Sequence, residues 1–187
     1  MPVTQKSMNA AELFESTIKW LRENYKKFKF FTERDVVWTV QTHIMEELKN
    51  NYLPYRVFND HRIPSSRRSR RRTDLAILDE SSCSIELAVE FKYEPSHSRK
   101  GKDIFERKFP VVAWGKNGIA TDMQRIREYV ADGTSKIAYL VFIDEGGYFQ
   151  KRTPHCGSCW EKWEEVNPLS ESEHVSLLWS KMPQANK

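Results

Sequence analysis

Two ionisable side chains stand two residues apart near the end of the run SIELAVEFKYEP, residues 84–95: Glu90 and Lys92. Apolar residues alternate with others along the run, which is the pattern of a β-strand. Residues two apart in a strand share a face. Ile85, Leu87, Val89 and Phe91 therefore read as the core side, and Glu86, Ala88, Glu90 and Lys92 as the other, with the Glu90 and Lys92 Cβ atoms roughly 7 Å apart. The run TDLAIL reads as the preceding strand and DESSCS as the turn of a hairpin. The start of a hairpin's first strand lies beside the end of its second, so Asp74 comes next to Glu90 and Lys92. Two adjacent carboxylates repel unless a cation sits between them. Oxygen ligands suit a hard divalent ion, Mg2+ or Mn2+. A neighbouring Lys can hold or deprotonate a water, or stabilise developing negative charge. Metal, positioned water and cation are together the apparatus for attack on a phosphodiester.

A further carboxylate belongs to this group if a helix delivers it. The segment FTERDVVWTVQTHIMEELKN predicts a helix with Thr32 as N-cap and acids in its first turn. At about 100° per residue, Val37, Val40, Ile44 and Leu48 all fall within about 60° of Glu33. Glu33 thus lies on the core-facing stripe, an unusual place for a carboxylate. It either reaches the end of the sheet to join the other acids or is a first-turn residue favoured by the helix dipole.

The elements that must position these residues follow in order. Residues 9–28 have helical spacing through Leu13, Ile18 and Leu21, and YRVFN reads as a short strand. Residues 59–72 are loop, and the hairpin covers residues 73–92. Residues 94–110 read as a polar, basic loop. GIATDMQRIREYVADG is helical, with Met123, Ile126 and Val130 as its core stripe and Gly133 as a C-cap candidate. KIAYLVFID is a continuous apolar strand of the kind found in mid-sheet. A short helix near 158–166 and a strand near 174–181 complete the chain. The order predicts an α/β protein with a central mixed β-sheet flanked by helices.

The 187 residues suit one domain, and an aromatic fraction of 12% argues against disorder. No apolar run approaches a membrane span, no secretory leader is legible, and three Cys make no disulfide framework, so an intracellular, reduced protein is expected. Net charge is +4, but five Arg sit in RRSRRR at residues 67–72, and setting them aside leaves −1. The basic balance is therefore local. Arg67, Arg68, Arg70, Arg71 and Arg72 lead straight into Asp74, and Arg99 and Lys100 follow Lys92 closely. Both segments read as phosphate contacts for a nucleic acid, DNA first. The Arg run alone reads equally as a solvated loop or an import signal.

Asp74 followed by Glu90-Phe91-Lys92 on the next strand resembles the PD-(D/E)xK nuclease superfamily. A Glu on the preceding helix, as in ERDVVWTV, is that superfamily's usual fourth element. The layout looks most like archaeal Holliday-junction resolvases and covers about residues 30–145. Residues 1–29 then form an N-terminal helix and 146–187 a Trp-rich extension. Thr73 stands where the motif has Pro, a position that is not a ligand. The resemblance implies a restriction-endonuclease-like core and a metal-dependent DNA endonuclease. By it, Asp74, Glu90 and the Phe91 carbonyl would bind Mg2+ (or Mn2+), Lys92 would orient the attacking water, and Glu33 would assist. The alternative is a non-catalytic nucleic-acid-binding module of the same fold. A third reading is an interaction protein whose Arg run is an address. Cutting two strands is simplest with two sites related by a two-fold axis, which puts a homodimer, and an accessory protein, among the partners to test.

Other candidates are weaker. Gln124, with Asp122, Arg125 and Tyr129, lies on the helix that could approach substrate. His155, Cys156 and Cys159 offer the start of a zinc site, with Cys83 and His174 as distant completions. A thiol pair with no function is the plainer reading. Trp160, Trp163 and Trp179 read as packing residues.

Overall fold

The computed structural model describes residues 8–63, 71–163 and 175–183. Six strands form one mixed sheet in the order β1-β2-β3-β4-β6-β5. They are β1 (Tyr55–Arg62), β2 (Arg72–Asp79), β3 (Ile85–Glu94), β4 (Ser135–Asp144), β5 (Ser158–Trp163) and β6 (Val175–Pro183). Helices α1 (Ala10–Asn24), α2 (Glu33–Asn50) and α3 (Ile119–Ala131) cover it. Only β3 and β4 pair in parallel, with α3 in the connection between them. Their two faces are apolar because both are covered: β4 is buried from Ala138 to Asp144.

Helices α1 and α2 begin where their sequences cap them. Asn9 accepts from the Glu12 amide while Glu12 reaches back to the Asn9 amide. At α2, the Asp35 carboxylate accepts from the amides of Phe31 and Thr32, both at 2.8 Å. One core joins α1 and α2 to Leu75, Ile77, Leu87, Val89, Phe91 and Tyr93. The other joins α3 to Ala76, Ala88, Ala138, Leu140 and Phe142. The face holding Glu90 and Lys92 is therefore packed under α3. Ile85, expected with Leu87, belongs to the α3 side, because the β2–β3 register shifts between Ile77 and Leu78.

Three other expectations change. Residues 59–62, read as loop, extend β1 to Arg62, because they pair with β2 from Asn59–Leu75 to Arg62–Arg72. The segment near 158–166, read as helix, is strand β5 through Trp163. Its Glu and Lys suited a helix, but pairing with β6 from Ser158–Ser180 to Trp163–Val175 wins, and charges suit an edge strand. The described strands of the Trp-rich C-terminal segment, Ser158–Trp163 and Val175–Pro183, thus belong to the sheet. Residues 94–110 carry two 3-10 turns, His97–Arg99 and Glu106–Lys108. No helix among the described residues is long and apolar enough to cross a membrane.

Candidate functional site

The hairpin register sets the site. Leu75 pairs with Val89 in antiparallel β2 and β3, which places Asp74 beside Glu90 at the strand end. The Asp74 carboxylate accepts from the Phe91 amide at 2.7 Å. Glu33, the first residue of α2, reaches the same point: its Oε2 lies 3.2 Å from Lys92 Nζ. The four residues expected to act together are brought together from three elements.

Helix α3 contributes more than expected. Asp122, Arg125 and Tyr129, one turn apart, all reach the group. Tyr129 donates its hydroxyl to Glu90 Oε1 at 2.5 Å. Arg125 lies 3.5 Å from Glu90 Oε2 and 3.0 Å from Asp122 Oδ1. Asp122 Oδ2 is 3.3 Å from Lys92 Nζ, close enough for an ion pair, yet it is buried without a hydrogen bond. Asp122, grouped in the sequence with the substrate-side residues, sits at the edge of the apolar stripe, about 40° round the helix from Ile126, and is buried. Gln124 is on the other side of the helix, exposed and bonded to Glu128 at 3.1 Å.

Four carboxylates thus face two cations, a surplus of two negative charges when all four acids are ionised. The titration behaviour follows from that surplus. Burial, with Asp74 nearby, pushes Glu90 up to about 8, against the pull of the Tyr129 hydroxyl. Glu33 is pushed up to about 7, by burial first and by Asp74, while Lys92 opposes. Burial also raises Asp74. Burial disfavours the Lys92 ammonium, but Glu33, Asp122 and Asp74 outweigh it, and its pKa rises. Lys92 therefore stays charged, and neutral pH leaves a proton among the carboxylates.

A divalent ion placed here would carry the missing charge and relieve the repulsion between Asp74 and Glu90; Asp122 Oδ2, buried without a hydrogen bond, faces the Lys92 ammonium. Among the described residues no three His, Cys, Asp or Glu side chains form a closed metal cage. Mg2+ does not require one, because it takes one or two carboxylates and completes its shell with water and phosphate. In this arrangement Lys92 Nζ donates to the Phe91 carbonyl at 2.7 Å, so the ammonium occupies the position of a cation.

The basic residues divide. Arg99 is only 2% exposed, and its guanidinium binds Glu145 at 2.9 Å and the Tyr93 hydroxyl at 2.9 Å. It anchors the loop from inside and is removed from the expected phosphate contacts. Lys100 is exposed and pairs with Glu106 at 3.3 Å. Arg71 pairs with Glu128, and Arg72 with Asp60 at 3.0 Å. Arg67, Arg68 and Arg70 lie outside the described residues, as does His174. Cys83, Cys156 and Cys159 are free and exposed. His155 stacks on Trp114, with centroids 5.1 Å apart, so it serves packing. Trp163 is buried in the α1–α2 core.

A cleft of about 430 Å3 opens beside Glu33 and Asp74, lined also by Arg34, Val37, Trp38, Asn59 and Asp60. Trp38 and Asn59 were not singled out in the sequence, although an aromatic lying well off the apolar stripe of α2 was a usable signal. No family model, curated protein or solved structure matches the chain.

Proposed function

We propose that the protein hydrolyses DNA phosphodiesters with Mg2+ or Mn2+, on a restriction-endonuclease-like core. The observation that carries this reading is the convergence of Asp74, Glu90, Lys92 and Glu33 at one sheet end with a surplus of two negative charges. Asp74, Glu90 and the Phe91 carbonyl would hold the ion, which supplies Lewis acidity and an acidified water. Lys92, released from that carbonyl, would orient the attacking water and stabilise charge growing on the phosphate. Glu33 would keep Lys92 in place and, with a pKa of about 7, exchange a proton near neutrality. Tyr129 and Arg125 would hold Glu90 in its coordinating rotamer.

A non-catalytic nucleic-acid-binding module is the second reading. It draws on the Lys92 ammonium satisfying the Phe91 carbonyl internally. Cleavage of supercoiled plasmid, linear duplex, single strand and four-way junction separates the two. The assay compares Mg2+, Mn2+ and EDTA, and the wild type with Lys92→Ala and Asp74→Ala. Metal-dependent cutting lost in both variants supports the nuclease. Salt-sensitive binding without cutting supports the module.

A further inference from the structure

The cleft beside the carboxylates has a wall that the proposed chemistry does not use. Trp38 is 64% exposed and lines it. An indole so open on the middle of a helix adds nothing to the core. Arg34 stands one turn away on the same face of α2, exposed and without an ion pair among the described residues. Across the cleft, the Asn59 carboxamide has no hydrogen-bond partner among the described residues. Asp60 is already held by Arg72. The same cleft contains Glu33 and Asp74. A flat aromatic face, a free guanidinium and a free amide thus share one space with the site's acids.

Those groups match one nucleotide: base on indole, phosphate on guanidinium, base edge on carboxamide. Resting on the nuclease reading above, we infer that Trp38, Arg34 and Asn59 seat an unpaired nucleotide next to the scissile phosphate, so that the substrate is DNA single-stranded at the cut. A base within a duplex is already stacked on both sides and offers Trp38 no face. The seat has the size of a nucleotide rather than of a helix.

The test compares the wild type with Trp38→Ala and Trp38→Phe. The probes are a fluorescein-labelled 12-mer of thymidylate and a blunt duplex of equal length. Binding is read by anisotropy with Ca2+ and cutting with Mg2+. Loss of one stacked base is expected to weaken 12-mer binding about 5- to 150-fold in Trp38→Ala. Trp38→Phe recovers most of it, and duplex binding is equal in all three. Thermal melts should coincide, since Trp38 is largely exposed. Equal 12-mer affinity in wild type and Trp38→Ala overturns the inference, as does an equal loss on the duplex. Sedimentation showing a wild-type dimer that Trp38→Ala dissociates assigns the face to a second copy and also overturns it. A wild type that neither binds nor cuts any DNA overturns the nuclease reading together with this one, whereas cutting indifferent to Trp38 overturns this one alone.

Discussion

Replacing Glu90 by Gln should stabilise the metal-free protein at alkaline pH. Glu90 is 1% exposed and is pushed up to about 8 from an ordinary 4.5. Between those values the folded chain holds a proton that the unfolded chain has released. Stability is then greatest below about pH 4.5 and falls as pH rises through about 8. The separation corresponds to about 4–5 kcal/mol at full ionisation. Arg125 and the partly protonated Glu33 share the load, so about 2–4 kcal/mol is expected between pH 5.5 and 8.5. Gln keeps the acceptor for the Tyr129 hydroxyl and carries no charge to bury.

The assay is urea unfolding in EDTA across that range, for wild type and Glu90→Gln. Wild type should lose stability steadily. Glu90→Gln should lose less than half as much and be the more stable protein at pH 8.5. Asp144, which burial raises to about 6, tilts both curves alike, so their difference isolates Glu90. Mn2+ added at pH 8 should restore the wild type and leave Glu90→Gln unchanged, because the ion replaces the proton that Gln does not need. Parallel curves, or a Glu90→Gln protein less stable at pH 8.5, would refute the charge-surplus argument.

Two further outcomes follow from the same geometry. Arg99→Met should cost about 3–5 kcal/mol in denaturant melts by stranding buried Glu145, while Lys100→Ala stays within about 0.5 kcal/mol; a drop in DNA affinity without destabilisation by Arg99→Met would contradict its internal role. Tyr129→Phe removes the short hydrogen bond that, beside Arg125, favours the Glu90 carboxylate, so Glu90 rises further, and the midpoint of Mn2+ binding followed by calorimetry should move up by about 0.5–1.5 pH units.

The hairpin strands and the acids Asp74, Glu90 and Glu33 were legible because strand periodicity, hairpin geometry and helical spacing are local rules. A two-residue spacing and a short turn suffice to put Asp74 beside Glu90, and a helical wheel suffices to turn Glu33 inward. What the sequence left ambiguous depended on partners distant along the chain. Glu161-Lys162 suits a helix until β6 arrives to pair with it. Arg99 and Lys100 are adjacent and alike in charge, yet one is buried on Glu145, 46 residues away, and the other faces solvent. Tyr129 was grouped with substrate-facing residues, and only the packing of α3 onto β3 shows that it holds Glu90.

The molecule contains its own control for whether this site is merely a structural ion network. Past Lys92, the sheet buries three more acids: Glu94, Asp144 and Glu145. Each of their oxygens has a donor. Glu94 takes His97 and the Val112 amide. Asp144 takes the amides of Tyr148 and Phe149. Glu145 takes the Tyr25 hydroxyl, the Ser96 amide and Arg99. Acids kept for stability are saturated in this way, because an open buried oxygen costs its full desolvation. At the candidate site, Asp74 has one hydrogen bond and Asp122 Oδ2 has none, facing only the Lys92 ammonium at 3.3 Å. The same fold that gives all six oxygens a hydrogen-bond donor at one cluster leaves Asp122 Oδ2 without one at the other. That difference is an energetic cost carried at one place, and its relief by an arriving cation is what the proposed function predicts.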